Sequence, residues 1–353
     1  MTIRRLGTDG EIRNKKYEIR TMRLLITGGA GFIGSNFVHF WLKKYPKDKI
    51  IVLDKLTYAG DKDSLDGVLD KIKFIKGDIC DKKLVEKLFR DEKFDIIVHF
   101  AAESHNTRAE KNPDIFYQTN VFGTRVLLEA VQKFPVKKFI HISTDEVYGS
   151  IKRGYFTEED ADRRYKFLKA DYPRSKGKAD KLARDFAAKG VSVIVVRPTN
   201  NFGPRQHPEK ALPRYITNVF LGKKMPVWGK GQQVRDWLNV EDTAQAILLI
   251  IKKGKIGQAY DVAVNNKPEI KNCDVATLLC KIMKKSKKEF IDFVPDPRPE
   301  HDFRYGLKAE KIRKLGWKPS KDIKELFKKT VKWYKENPAW WKKRKKEAER
   351  LYQ

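Results

Sequence analysis

The stretch Arg23-Leu24-Leu25-Ile26-Thr27-Gly28-Gly29-Ala30-Gly31-Phe32-Ile33-Gly34 constrains the fold more than any other part of the chain. An apolar strand runs directly into glycines at 28, 31 and 34, the spacing of a tight strand-to-helix turn around a pyrophosphate. Gly28 permits the turn, Gly31 lets backbone approach phosphate, and Gly34 allows the helix to pack on the strand. The helix that starts there directs its unpaired N–H groups at the anion. A second apolar run, Ile50-Ile51-Val52-Leu53, ends in Asp54, about 20 residues beyond Gly34. A carboxylate at that point accepts the adenosine ribose hydroxyls and repels a 2′-phosphate, so the two features predict NAD over NADP.

Apolar runs near 23–27, 49–54, 72–76, 95–100, 137–142 and 191–196 alternate with amphipathic helical stretches, which predicts an α/β, doubly wound parallel sheet. Runs such as Val193-Ile194-Val195-Val196 show no polar alternation, as expected of strands covered on both faces. Binding chemistry is therefore expected at their carboxyl ends. Beyond Arg197-Pro198 the rhythm loosens, and prolines at 204, 208, 213, 226, 295, 297 and 299 punctuate shorter elements. We expect residues 22–196 to form a dinucleotide-binding domain. Residues 197–341 are expected to form mainly a smaller lobe, with some segments returning to the first domain. Residues 1–21 are expected to be a disordered extension, and 342–353 a basic C-terminal helix or tail.

Composition narrows the function classes. The 353-residue chain is 41% apolar, ample for a core, and holds no run of the roughly 18 apolar residues that a membrane span needs. With no apolar secretory segment at the start, a cytoplasmic location without membrane partners is expected. Cys80, Cys273 and Cys280 lack metal-ligand spacing, so no metal is expected. A net charge of +30 raises the possibility of nucleic-acid binding. The lysines are scattered over helix faces, however, and concentrate only in Lys342-Lys343-Arg344-Lys345-Lys346, so a solvated surface without a nucleic-acid partner is expected.

Three segments should meet at one sheet edge: Ala101-Ala102-Glu103-Ser104-His105, Ser143-Thr144-Asp145-Glu146-Val147-Tyr148-Gly149, and Tyr172-Pro173-Arg174-Ser175-Lys176. Residues four apart on a helix share a face, so Lys176 can act on the Tyr172 phenol and on a nicotinamide ribose. Tyr165 and Lys169 repeat the spacing, but Tyr172 stands at the entrance of the amphipathic helix that leads into a buried strand, with proline tolerated in its first turn. Asp145 and Glu146 are adjacent carboxylates that can divide acid and base roles between them.

Together these residues resemble the nucleotide-sugar 4,6-dehydratases of the extended short-chain dehydrogenase/reductase family, over residues 22 to 341. The resemblance implies a Rossmann-type sheet with a C-terminal substrate-binding lobe, bound NAD and a hydro-lyase activity. It implies that Tyr172, supported by Lys176 and Thr144, takes the sugar 4-hydroxyl proton as hydride leaves C4 for NAD. Glu146 then removes the C5 proton, Asp145 protonates the departing C6 hydroxyl, and the hydride returns to C6. Asp145 also sets the chain apart from 4-epimerases and decarboxylases, the alternative reactions, which typically carry a small or hydroxyl residue there.

The implied cofactor positions are Gly28, Gly31, Phe32, Ile33, Gly34, Asp54, Lys55, Leu56, Thr57, Asp78, Ile79, Phe100, Ala101, Ala102, Thr119, Tyr172, Lys176 and Asn201. The implied substrate positions are Ser104, Thr144, Asn200, Lys210, Ala211, Pro226, Trp228, Arg235, Asn266, Arg298 and His301. Leu56 to Gly60, Ala101 to His105, Arg235 to Trp237 and His301 to Tyr305 resemble members acting on dTDP-glucose, with dTDP-4-keto-6-deoxyglucose as product; UDP-glucose is the alternative. The chain departs from the usual pattern at Asn106-Thr107-Arg108-Ala109, Trp228, Pro297 and Glu300. A homodimer through residues 111–133 and 173–188 is implied as well.

Overall fold

A computed structural model describes residues 21–104, 112–297 and 302–350. The expected disorder of the N-terminal extension, the departures at Asn106 to Ala109 and Glu300, and the assignments of Arg298 and His301 therefore lie outside the described residues. Seven strands form one parallel sheet: β1 (Arg23–Thr27), β2 (Lys49–Asp54), β3 (Ile72–Lys76), β4 (Ile96–His99), β5 (Lys138–Ile142), β6 (Val193–Pro198) and β7 (Ala259–Val262). Their order is β7-β6-β5-β4-β1-β2-β3. The order reverses between β1 and β4, which opens a crevice beyond the carboxyl ends of these two strands.

Successive strand residues feed opposite layers. Leu24 and Ile26 join one core with Phe37, Trp41 and Ile247, from helices α1 (Phe32–Lys44) and α6 (Val240–Lys253). Leu25, Ile51 and Ile97 join the other, with Leu88, Leu127 and Ala183 from α2 (Lys82–Glu92), α3 (Thr124–Lys133) and α4 (Asp171–Ala188). Each fully buried aliphatic side chain stabilises the fold by about 1.5–3 kcal/mol, which explains why the middles of β1, β2 and β4 are apolar and their polar residues stand at the ends.

β7 was not expected as a strand. It carries Tyr260 and Asp261 in a run of four residues, too short and too polar to stand out, yet it pairs with β6 at the sheet edge. A third core holds Phe202, Ile216, Val227, Leu279 and Phe327, from α5 (Ala211–Phe220), the strand Met225–Trp228, α7 (Asn272–Met283) and α8 (Ile323–Glu336).

The basic run near the C-terminus is helical, in α9 (Pro338–Arg350), but two of its charges are not solvated: Arg344 is 6% exposed and Lys345 4%. Arg344 Nη2 lies 2.7 Å from Asp61 Oδ2, Lys343 Nζ 3.0 Å from the same oxygen, and Lys345 donates to Asn218 Oδ1. The helix thus clasps the loop after β2 to the second lobe. Among the described residues no helix is long and apolar enough to cross a membrane.

Candidate active site

The crevice opens into a cavity of 220 Å³, lined at one end by the glycine loop, Asp54 and Asp78 and at the other by Tyr172 and Lys176. Gly28 has φ +69°, and a Cβ there would lie 2.5 Å from Ala101 N. At Gly34 a Cβ would overlap the Gly28 carbonyl, so α1 can start against β1 only with glycine at this point. Gly31 differs: a Cβ would meet only Gly28 O, at 3.3 Å, and otherwise project into open space. Bare backbone facing a cavity at a helix start is what a pyrophosphate requires.

Asp54 is buried at the end of β2, with Oδ2 accepting from Ala30 N (2.9 Å) and Oδ1 from Leu56 N (2.8 Å). Burial raises its proton affinity, while the two N–H donors favour the carboxylate. Its bond to Leu56 accompanies a left-handed backbone at that residue (φ +59°), unusual for leucine. Lys55 pairs with Asp78 at 2.7 Å beside the cavity.

At the other end, β5 runs into the short turn Asp145–Tyr148, capped by Thr144, whose Oγ1 accepts from Glu146 N (3.3 Å) and donates to Asp145 Oδ1 (3.1 Å). Asp145 is 2% exposed, and its Oδ2 has no hydrogen-bond partner among the described residues. Burial, reinforced by Glu146, raises its pKa well above the usual carboxylate range and so favours the protonated carboxyl. Glu146 is half-buried.

Tyr172 and Lys176 enter from α4. Burial and then Glu146 raise the Tyr172 pKa, whereas its hydrogen bond with Thr144 favours the phenolate. Lys176 donates to Ile142 O (2.7 Å), and burial lowers its pKa to about 8. Asn120 locks this helix to the loop after β4: Oδ1 accepts from Glu103 N (2.9 Å), while Nδ2 donates to Ser175 Oγ (2.9 Å). Asn120 sits in a π-helical turn, Gln118–Gly123, which also brings Thr119 to the cavity.

The second lobe supplies Lys210, whose Nζ donates to Ser104 O (2.9 Å) at the cavity wall. Arg235 is held by Val234 O (2.8 Å) and Asp302 O (2.9 Å) with its guanidinium 4.6 Å from the Tyr305 ring centre. Asp236 accepts from Asn266 Nδ2 (2.9 Å). Arg235, Asn266 and Tyr305 line a second, smaller cavity of 20 Å³. Arg235 acts electrostatically on Asp145, and Glu146 on Tyr305, although neither carboxylate lines either cavity itself.

Of the expected cofactor positions all but Leu56 and Asn201 line the main cavity. Leu56 contributes its N–H to Asp54, and Asn201 is engaged with Thr199 O and the Thr243 hydroxyl. Ser104 and Lys210 reach the main cavity and Arg235 and Asn266 the smaller one; Thr144, Asn200, Ala211, Pro226 and Trp228 line neither. Asn200 Oδ1 is nonetheless buried with no hydrogen-bond partner among the described residues. Glu103, Ser143, Gln206, His207 and Glu209 line the main cavity without having been expected there. Ser143, beside the expected Thr144, was the nearest to a signal, whereas Gln206 to Glu209 follow a left-handed Arg205 that no local pattern announces.

Comparison with known proteins settles the family. The model of the NAD dependent epimerase/dehydratase family matches residues 24–263. The chain belongs to this family. As an epimerase/dehydratase it is 41% identical, over 338 residues, to a dTDP-glucose 4,6-dehydratase of Mycobacterium tuberculosis, covering 94% of this chain and 99% of the relative. It superposes with a TM-score of 0.83 on the dTDP-glucose 4,6-dehydratase of Bacillus anthracis in complex with NAD, at 41% identity, covering 92% of this chain and 99% of that one. The corresponding enzyme of Streptomyces venezuelae, with NAD and TYD bound, gives 0.84 at 39% identity, covering 91% and 99%.

Proposed function

We propose that this epimerase/dehydratase is a nucleotide-sugar 4,6-dehydratase that converts dTDP-glucose to dTDP-4-keto-6-deoxyglucose. The observation that carries the reading is a buried Asp145, its proton affinity raised by that burial, next to the less buried Glu146 on the turn whose Thr144 hydrogen-bonds with Tyr172. NAD, when bound by the glycine loop, Asp54 and Lys176, supplies the hydride acceptor and donor.

Tyr172 takes the proton of the 4-hydroxyl, with Thr144 stabilising the phenolate and Lys176 supplying positive charge on the same helix face. Asp145, whose hold on its proton is strengthened by burial, gives that proton to the departing C6 hydroxyl. Glu146, less buried, takes the C5 proton. Two adjacent carboxyls in unequal burial thereby take opposite proton-transfer roles, which elimination needs and simple epimerisation does not. Arg235 grips the diphosphate, since its fork makes paired charge-assisted bonds, and Lys210, Asn200 and Asn266 complete the substrate contacts.

Residues 22–196 carry the cofactor and 197–341 most of the substrate contacts. The enzyme works in the cytoplasm as a homodimer through residues 111–133, where Phe122 is 43% exposed, and 173–188. The bases of dTDP and UDP differ by one methyl group, worth about 1 kcal/mol in an apolar pocket, so we expect roughly tenfold preference for dTDP-glucose. Turnover of dTDP-glucose in deuterated water, with product identification, tests the reading. A 4-keto-6-deoxy product with deuterium at C5 is expected; an epimerised or decarboxylated sugar would overturn it, and a UDP preference would overturn the choice of base.

A further inference from the structure

Beneath the site lies a buried polar chain that no step of the reaction uses. Arg197, fully buried on β6, donates through Nε (2.7 Å) and Nη2 (2.8 Å) to the two oxygens of Asp180 on α4. Its Nη1 donates to the Tyr148 hydroxyl (2.7 Å) and to Glu158 O (2.9 Å). Tyr148 in turn donates to Asp261 on β7, at 2.8 and 3.0 Å. All four side chains are at most 1% exposed, so each polar atom depends on its partner for solvation.

The two elements that this chain joins are the two that carry the proposed chemistry. Tyr172, Lys176 and Asp180 follow one another at four-residue intervals along one face of α4, and Tyr148 closes the turn that begins with Asp145 and Glu146. A general stabilising strut could sit anywhere in the sheet; this one ties the helix that carries the phenol to the turn that carries the carboxylate pair. We propose that Asp180 and Tyr148, joined through Arg197, are positioning residues: Asp180 sets the pose and charge environment of Lys176 and Tyr172, and Tyr148 sets the pose of Asp145 and Glu146. This role rests on the dehydratase reading above.

Lys176 is faced by Asp180 from its own helix, by His141 and His99 from β5 and β4, and by Arg197 beyond Asp180. Both histidines are buried and neutral, with the pKa of His141 lowered to about 3. Asp180 is held ionised by Arg197 and Arg184, although burial alone would raise its pKa. Its charge opposes the burial that draws the Lys176 pKa down to about 8. Removing that charge therefore makes Lys176 lose its proton at lower pH.

The test separates the two ends of the chain by single turnover in deuterated water. Tyr148→Phe, which removes only a hydroxyl, is expected to slow deuterium entry at C5 between about tenfold and a hundredfold, as a misplaced catalytic group does, while sugar oxidation and substrate affinity stay near wild type. Asp180→Asn is expected to slow oxidation and to move the alkaline limb of the kcat/KM profile to lower pH. If Asp180→Asn does not fold, Tyr148→Phe decides alone. Deuterium entry at the wild-type rate in Tyr148→Phe overturns the proposal, as does an equal loss in every step accompanied by a lower melting temperature, which marks a mere strut. An unmoved alkaline limb in a folded Asp180→Asn also overturns it. A wild type that exchanges no C5 proton refutes the dehydratase reading itself and this role with it, whereas exchange at equal rates in wild type and variant refutes only the role.

Discussion

At the scale of single residues, Asp145 shows how a functional group works against the fold. A carboxyl whose pKa is raised in the folded state is unstrained at low pH, and its burial costs stability as pH climbs from about 4 toward the folded value. Asp145→Asn removes that cost. We expect the variant to melt no lower than wild type at neutral pH, and its margin over wild type to shrink as pH falls toward 4, while loss of the C6 hydroxyl slows by about 10²-fold or more. Thermal melts at two pH values with product assays check both halves. The two tyrosines of the repeated Tyr-x-x-x-Lys spacing make a second test. Tyr165 packs against the backbone of α4 at Gly177, where an added Cβ would lie 2.5 Å from the tyrosine Cβ, and it does not line the cavity. Tyr172→Phe should abolish C4 oxidation with little change in substrate affinity, and Tyr165→Phe should keep its turnover. Stopped-flow absorbance of the reduced nicotinamide reads both.

Among the elements, the strand-to-helix turn is where local pattern and tertiary need coincide. Gly34→Ala drives a methyl group into the Gly28 carbonyl, and overpacking of this kind costs about 1–3 kcal/mol. We expect a lower melting temperature and weakened NAD binding, measured by titration of the cofactor-free protein. This turn, the six strands through β6 and the helix carrying Tyr172 and Lys176 were legible in the sequence because each rests on short-range spacing: glycines at intervals of three, uninterrupted apolar runs, residues four apart on a helix. What escaped depends on distant partners. β7 exists because β6 leaves an open edge, and its Asp261 is tolerated only because Tyr148, 113 residues away, donates to it. Asn120 has no spacing signature, since its role is to satisfy the Glu103 N–H and the Ser175 hydroxyl from a π-turn. Gln206, His207 and Glu209 come to the cavity from a loop whose course is set by the second lobe.

For the molecule as a whole, the +30 charge bears on the approach of substrate more than on the fold. A nucleotide sugar is a dianion, so kcat/KM is expected to fall as salt rises, as long-range attraction is screened beyond about 10 Å at 0.1 M salt, while kcat stays level. Initial rates over a salt series separate the two. Not all of that charge is diffuse, however. Thr57, Ala59 and Gly60 wall the cavity, and the adjoining Asp61 is gripped by Lys343, 282 residues further along the chain. A ribosome adding about 5–20 residues per second needs some 14 s or longer to travel between those two points. Throughout that interval the nascent chain already possesses its glycine loop and Asp54 but has no counter-ions to close the wall beside them. The loop that walls the cavity therefore gains its ionic clasp only after α9 has been made.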